Sequence, residues 1–193
     1  MKKLTLLLIT FLLCTSFSVT NTKTIDKGWY QVCYSETYQE PVWVEYTVAC
    51  TEGKFSRKGL DFYTEPGIKT ADNADFEANE WDKGHMAPAA DFACDSLALR
   101  ATFSYLNCAL QQENLNRGVW RHLETREREL AKHWTVKVHI DVVNGPAKKT
   151  LSTGARIPDA FIKTLSYGSH TEVYRFPNTK PTSSDPQAYR VNK

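Results

Sequence analysis

The chain has 193 residues, of which 41% are hydrophobic, 24% are charged and 12% are aromatic. This length suits one domain with a substantial buried core, and the composition excludes a disordered or fibrous chain. The longest apolar run, residues 4–13, is too short to span a bilayer, so we do not expect a membrane-spanning protein. The formal net charge is +2 at pH 7, and both extra positive charges, Lys2 and Lys3, lie at the N-terminus.

Charge is unevenly distributed along the rest of the chain. Residues 21–95 carry 7 basic and 14 acidic side chains, whereas residues 96–193 carry 15 basic and 8 acidic ones. The neutral sum excludes a uniformly basic coat for nucleic acid, but such a dipole can steer a polyanion toward one face. An unevenly charged, solvated surface is the alternative interpretation.

Residues 1–20 are predicted to be a secretory signal peptide. Lys2 and Lys3 precede the apolar residues 4–13, and small and polar residues follow at positions 16–20. This is the order of the n-region, h-region and cleavage zone of a signal peptide. We therefore expect an exported protein, secreted or periplasmic, whose mature chain is a single domain of residues 21–193.

Four cysteines remain after the predicted leader: Cys33, Cys50, Cys94 and Cys108. An even number in an exported chain favours disulfide bonds, and the absence of a Cys-x-x-Cys pair argues against a structural zinc site. Four cysteines allow three pairings. We expect Cys33–Cys50 and Cys94–Cys108, because each of these pairs brackets a short segment.

In chain order, the N-terminal half is predicted to hold strands and a long loop. Residues 29–50 are rich in Tyr, Val, Trp and Thr and are interrupted at Glu40-Pro41, which predicts two strands around a turn. Residues 53–80 are polar and include a Pro-Gly pair, which is typical of a long loop. Residues 103–106 are a candidate for a short strand.

The C-terminal half is predicted to begin with a long helix. Residues 115–134 show apolar side chains at helical spacing, with charged residues between them. Residues 134–143 alternate β-branched and polar residues, which predicts a strand that ends at Gly145-Pro146. We expect the tail from about residue 179, which contains several prolines and serines, to be loosely held.

The first candidate for chemistry is the polar stretch at residues 81–88. Asp82, Lys83 and His85 fall within four residues, and Gly84 permits close approach of the backbone. A histidine is the natural general base near neutral pH, and a neighbouring cation can hold an anionic substrate beside it. A turn whose histidine only satisfies local hydrogen bonds is the alternative.

The second candidate follows on the predicted helix. Asn116, Trp120 and Glu124 recur every four residues and would lie close to one helix face. An amide oxygen and a carboxylate suit a hard cation such as Mg²⁺, which keeps most of its waters and needs few protein ligands. The ordinary alternatives are a helix cap at Asn116 and an i,i+4 pair between Glu124 and Arg128.

With both motifs in view, the sequence resembles the DNA/RNA non-specific endonuclease family, the ββα-metal nucleases. Asp-Lys-Gly-His-Met-Ala-Pro-Ala-Ala-Asp at residues 82–91 is similar to the family signature Asp-Arg-Gly-His-Leu-Ala-Pro-Ala-x-Asp. Residues 107–111 resemble its Asn-x-x-Pro-Gln segment, and residues 115–124 match Leu-Asn-x-x-x-Trp-x-x-Leu-Glu. Lys83 replaces the usual Arg and Leu110 replaces the usual Pro, and the first change puts the strength of phosphate binding in question.

The resemblance implies a base and a metal site. His85 would deprotonate the attacking water, and Asn116 would be the direct protein ligand of a mostly hydrated Mg²⁺, for which Mn²⁺ could substitute. Glu124 would hold waters bound to the metal, and Asn107 would help to place this cluster. Asp82 would support its own loop and would not touch substrate.

The resemblance also implies how the substrate is held. Arg57, Lys83 and Arg128 would contact the phosphate or stabilise the transition state. Contacts to phosphate carry no base information, so weak sequence preference on both DNA and RNA is expected, with 5′-phosphate products.

The fold that the resemblance implies is α+β, with a central antiparallel sheet flanked by helices and a ββα-metal finger of the His-Me type. The finger would combine the loop of His85 with the helix that starts at Leu115. Two other functions remain open: a catalytically impaired nucleic-acid-binding module of the same fold, and a secreted zinc-dependent hydrolase.

Overall fold

The computed structural model describes residues 21–147 and 149–191, so the predicted signal peptide at residues 1–20 lies outside the described residues. Within them the chain forms nine strands: β1 (Thr22–Asp26), β2 (Tyr30–Ser35), β3 (Glu40–Thr47), β4 (Trp81–His85), β5 (Cys108–Gln112), β6 (Lys137–Val143), β7 (Ala160–Tyr167), β8 (His170–Pro177) and β9 (Arg190–Val191).

Seven of these strands make one antiparallel sheet in the order β1-β2-β3-β6-β7-β8-β9. The remaining two, β4 and β5, pair with each other in a separate antiparallel ribbon. The chain therefore leaves the sheet after β3, builds the ribbon and the helices, and returns to the sheet at β6.

The helices are short. Helix α1 spans Ser96–Ala101, and α2 (Glu113–Leu115) begins directly after β5. A π-helical turn at Asn116–Trp120 joins α2 to α3 (Arg121–Ala131). Single turns of 3₁₀ helix lie at Asn73–Phe76, Ala89–Phe92, Tyr105–Asn107 and Pro186–Tyr189. In the described part of the chain, no helix is long and apolar enough to cross a bilayer.

The largest part of the core lies between the seven-stranded sheet and the segment that carries α3. Strand side chains alternate between the two faces of a sheet, and in β6 every second side chain is buried. Trp120 and Leu123 are fully buried, and the Trp120 ring meets Phe161 and Phe176 edge-on, at 5.5 Å between centroids in both cases. Burial of each such side chain contributes roughly 1.5–3 kcal/mol. This packing fixes α3 on the sheet.

The predicted α+β fold with a central antiparallel sheet and a ββα unit is confirmed, with corrections to single elements. The turn between the first two predicted strands lies at residues 36–39 and not at Glu40-Pro41, because Gln39 adopts a φ of 56° and its N–H bonds the Ser35 carbonyl. The strand predicted at residues 103–106 is wrong. A 3₁₀ turn forms there, with the Ser104 hydroxyl accepting from the Leu106 N–H.

The tail that we expected to be loosely held is packed against the sheet. Strand β9 pairs with β8, and the Tyr189 ring stacks on Phe176 at a centroid distance of 4.9 Å. The Tyr189 hydroxyl also accepts hydrogen bonds from the N–H groups of Thr182 and Ser183. The expectation failed because composition alone does not show the pairing of β9 with β8 or the stacking of Tyr189 on Phe176.

The expected disulfide pairs are wrong. Cys50 and Cys94 are bonded to each other, with 5.5 Å between their Cα atoms, and Cys33 and Cys108 are free thiols. The Ala49 N–H bonds the Asp91 carbonyl and the Lys54 N–H bonds the Ala93 carbonyl, so the two segments lie side by side. Cys33 lies on β2 of the seven-stranded sheet, and Cys108 lies on β5 of the separate two-stranded ribbon. Spacing along the chain carried no information about this arrangement.

Candidate active site

His85 lies at the end of a strand and not in the loop that we expected. β4 pairs with β5 along its whole length, with His85 opposite Cys108. The strands approach so closely that a Cβ on Gly84 would stand 2.6 Å from the Cβ of Gln111, and only glycine fits there. The local sequence therefore builds a tight ribbon, and His85 is carried on a regular element that can hold it in place.

Two aromatic rings enclose the His85 imidazole, at centroid distances of 4.7 Å for Phe62 and 4.9 Å for Phe103. The Nε2 atom is shielded from solvent and has no hydrogen-bond partner among the described residues. This burial, reinforced by the positive charge of Arg57, lowers the pKa of His85 to about 3. The imidazole is therefore neutral at pH 7, which is the form that can accept a proton.

Asn107 holds the segment that follows His85. It is fully buried, its Oδ1 accepts from the Ala87 N–H at 2.8 Å, and its Nδ2 donates to the carbonyls of Ala87 and Thr102 at 2.8 and 2.9 Å. All of these bonds are to backbone, and Asn107 is not part of the cleft lining described below. Its contact with the site is therefore indirect.

Asn116 opens the π-helical turn, and Asp82 fixes the orientation of its side chain. The amide Nδ2 of Asn116 donates to Asp82 Oδ2 at 2.9 Å. The Arg117 guanidinium donates two further hydrogen bonds, of 2.8 and 2.6 Å, to the same carboxylate. Because Asp82 takes the amide nitrogen, the amide oxygen of Asn116 is left for another partner. Non-helical torsions at Gly118 accommodate the irregular turn, a feature that is frequent at functional sites.

Glu124 lies on α3, and the pKa of its carboxyl group is raised. Burial raises the pKa of Glu124 to about 7, and the neighbouring Glu127 carboxylate acts in the same direction, while the charges of Lys163 and Arg128 oppose it. A carboxyl group of this kind is partly protonated at neutral pH. A cation placed beside it would favour the charged form.

One cleft brings together six of the seven residues that the sequence predicted for the site. Its volume is about 750 Å³, and Arg57, Lys83, His85, Asn116, Glu124 and Arg128 all contribute to its lining. Asn107 is the one predicted site residue outside the lining. A second concavity of about 600 Å³ lies over the sheet near His139 and contains none of the predicted residues.

Two residues of the cleft lining, and one residue that supports it, were missed from the sequence. Arg117 and Arg121 add two cations to the lining, and the buried Asp91 accepts a hydrogen bond of 2.8 Å from Arg128. Asp82 was expected to support only its own loop, but it also orients Asn116. Asp91 is the last residue of the motif at residues 82–91. Its place in this motif is the sequence feature that could have indicated a role for it.

The donors in the cleft suit a metal ion that needs few protein ligands. Residues 21–147 and 149–191 contain no group of three or more His, Cys, Asp or Glu side chains that could hold a metal. The oriented Asn116 oxygen and the Glu124 carboxylate match a hydrated Mg²⁺, which keeps several of its waters. A zinc site of the hydrolase type would need three such ligands.

Fold and site together define the ββα-metal class, and the comparisons with known proteins identify the family. A family model described as DNA/RNA non-specific endonuclease matches residues 12–191. The chain belongs to this family.

Individual relatives agree with this assignment. The protein named "Nuclease EXOG, mitochondrial" of Danio rerio is 34% identical over 139 residues, which are 69% of this chain and 38% of that protein. "Endonuclease G, mitochondrial" of Homo sapiens is 29% identical over 122 residues, 61% of this chain and 40% of that protein. "Nuclease" of Serratia marcescens is 27% identical over 169 residues, 77% of this chain and 62% of that protein.

A solved structure of an EndoG/EndoGI complex has the same fold. Its TM-score is 0.78 at 22% sequence identity, and the match covers 88% of this chain and 80% of that chain. The chain spans about four-tenths of the length of the mitochondrial relatives it matches.

Proposed function

We propose that this protein is a Mg²⁺-dependent endonuclease that hydrolyses phosphodiester bonds of DNA and RNA with little sequence preference. The observation that carries this proposal is a single cleft that contains the neutral His85 imidazole, the oriented Asn116 amide and a set of cationic side chains. Membership of the DNA/RNA non-specific endonuclease family supports the same activity.

The donor set of the cleft fits the proposed metal. Asn116 would hold Mg²⁺ directly through its amide oxygen, and Glu124 would hold waters bound to the ion. When bound, the ion would neutralise negative charge that develops on the phosphate and the leaving oxygen. Mn²⁺, which also accepts oxygen ligands, is expected to substitute for it.

His85 would be the general base of the reaction. A water oxygen attacks the phosphorus while one of its protons passes to the imidazole. The bond from phosphorus to the 3′ oxygen then breaks, and that oxygen takes a proton from solvent, which leaves 5′-phosphate and 3′-hydroxyl ends. A pKa of about 3 makes His85 a weak base in the free protein, but the negative charge of a bound phosphate stabilises the imidazolium and raises this pKa.

The cations would bind the phosphate and balance its charge. Arg57, Lys83 and Arg128 all line the cleft. Arg128 is held in place because its guanidinium donates to Asp91 and, at 3.2 Å, to the Thr125 hydroxyl. Since phosphate contacts do not distinguish bases, the expected substrates include both DNA and RNA.

We also propose that the protein is exported. The predicted leader at residues 1–20 supports export, and so does the Cys50–Cys94 disulfide, because such bonds persist in oxidising compartments.

A plasmid-nicking assay tests the function. Purified protein is incubated with supercoiled DNA, and separately with RNA, in Mg²⁺, in Zn²⁺ and in EDTA. We expect cleavage of both substrates in Mg²⁺ and none in EDTA. Retention of DNA without cleavage would favour the impaired binding module, and cleavage restored better by Zn²⁺ than by Mg²⁺ would favour the zinc-dependent hydrolase.

A further inference from the structure

Three aromatic rings surround the ammonium group of Lys83. Its Nζ lies 5.7 Å from the ring centroid of Phe62, 5.9 Å from that of Phe76 and 5.8 Å from that of Tyr105. All three distances are within the range of about 6 Å at which an aromatic face attracts a cation. We call Phe62, Phe76 and Tyr105 the Lys83 cage.

Asn73 completes the surroundings of this ammonium. Its Oδ1 accepts one hydrogen bond from Lys83 Nζ and another, of 2.7 Å, from the Tyr105 hydroxyl. An amide oxygen has two lone pairs, so both acceptor positions of Asn73 are used. Asn73 thereby ties Lys83 to a ring of its own cage.

The turn that carries Asn73 and Phe76 is itself fixed. It is a 3₁₀ turn with a capping box, in which Asp72 accepts from the Ala74 N–H at 2.8 Å and Asp75 accepts from the Asp72 N–H at 2.8 Å. Asp75 is buried and also accepts a hydrogen bond from the Thr153 hydroxyl. The polar segment that supplies Asn73 is therefore ordered by contacts with a distant part of the chain.

This arrangement bears on how firmly Lys83, which replaces the arginine of the family motif, can bind a phosphate. Arginine offers a rigid planar fork to a phosphate, whereas lysine offers a point charge on a flexible stem. We propose that Asn73 is a positioning residue that, with the Lys83 cage, holds the Lys83 ammonium ready for the substrate phosphate. The proposal deepens the proposed function and rests on it.

The cage also connects the cation with the base. The Phe62 ring meets the His85 imidazole at 4.7 Å between centroids, and the same ring lies beneath Lys83 Nζ. Lys83 and His85 both line the cleft. Fixing Lys83 therefore fixes the phosphate relative to His85, and Asn73 acts on the reaction only through Lys83.

A double-mutant cycle with Asn73→Ala and Lys83→Ala tests this dependence. Two quantities are measured in each variant: kcat/KM in Mg²⁺, and the Kd for a single-stranded oligonucleotide in EDTA. Loss of one charge-assisted hydrogen bond should lower kcat/KM about 10-fold and raise the Kd by a similar factor in Asn73→Ala. In the Lys83→Ala background the same change should cost less than about twofold. The matched control is Asn114→Ala, an exposed asparagine on α2, which should leave both quantities unchanged.

A second measurement does not depend on activity. The cage rings should shift the Lys83 Hε proton resonances upfield, and the shift should shrink in Asn73→Ala, while the resonances of the fully buried Lys163 stay in place as a reference. An unchanged Lys83 shift in Asn73→Ala would overturn the proposal, and so would an Asn73 effect that persists in full without Lys83 or a gain of activity in Asn73→Ala. If the wild type failed to cleave but the binding cycle behaved as expected, the proposed function would fail while the positioning role of Asn73 would stand.

Discussion

Replacing Lys163 with methionine should destabilise the protein strongly, because it leaves a buried charge without its partner. Lys163 and Glu127 are both fully buried, and Lys163 Nζ donates to Glu127 Oε1 at 2.7 Å. The same ammonium lies 4.3 Å from the Trp120 ring centroid. In Lys163→Met both interactions disappear, and the Glu127 carboxylate stays in the core.

The expected loss follows from the burial of this pair. Removing one partner of a buried ion pair costs about 3–5 kcal/mol of unfolding free energy. The Tyr46 hydroxyl still donates to Glu127 at 2.7 Å, so we expect the lower end, about 3 kcal/mol. For a domain of this size that corresponds to a fall in Tm of about 6–12 °C. The double variant Lys163→Met/Glu127→Gln should recover much of the loss, because no charge then remains unpaired.

Urea and thermal unfolding, followed by circular dichroism, measure these differences. The matched control is Lys132→Met, which removes an exposed pair with Glu129 at the C-terminal end of α3 and should change stability by less than about 0.5 kcal/mol. The positive charge of Lys163 also holds down the pKa of Glu124. At pH 7 the cleavage rate of Lys163→Met should therefore fall by more than the loss of folded protein explains.

Two results would refute this reasoning. The first is a Lys163→Met variant within about 1 kcal/mol of the wild type, since a fully buried unpaired carboxylate costs more than that. The second is a double variant no more stable than Lys163→Met, which would show that the lost packing of the lysine stem, and not its charge, sets the cost.

Three further outcomes are expected. Asn116→Ala should raise the Mg²⁺ concentration needed for half-maximal cleavage, measured by titration, and an unchanged titration would remove Asn116 as a ligand. Although burial opposes it, hydrogen bonds from Arg126 and two tyrosine hydroxyls lower the pKa of Glu172 from 4.5 to about 2. The Glu172 carboxylate therefore stabilises the fold above about pH 4.5 and loses this effect as the pH falls toward 2. In Glu172→Gln the unfolding free energy should depend less on pH in this range, and an unchanged pH dependence would contradict the assignment. Mass spectrometry should find one bond, Cys50–Cys94, whose loop of 44 residues corresponds to about 4 kcal/mol in the chain-entropy model; four free thiols in exported protein would exclude it.

Most of the residues proposed for the site line one cleft, and the sequence could point to them because they lie in two short stretches. His85 and Lys83 are two residues apart, and Asn116 and Glu124 are eight apart along one helical segment, so motif and periodicity sufficed to name them. The π-helical turn at Asn116–Trp120 changes the helix but leaves Asn116 and Glu124 in the same cleft.

The supporting residues could not be predicted because they act across long distances in the sequence. Asn73 lies in a polar stretch with no periodic pattern, and its role depends on Lys83 and on Tyr105, which is 32 residues away. The disulfide was mispredicted for the same reason, since Cys50 meets Cys94 through backbone bonds between their two segments. Burial of the pair formed by Glu127 and Lys163 likewise arises only when α3 packs on the sheet.

The most direct test of the central claim is single-turnover cleavage of a labelled DNA oligonucleotide in Mg²⁺ by the wild type and by His85→Ala. The wild type should cleave and leave 5′-phosphate ends. His85→Ala should remain folded and keep its affinity for the oligonucleotide but cleave about 10²–10⁴-fold more slowly. A folded His85→Ala variant that cleaved at the wild-type rate would contradict the assignment of His85 as the general base.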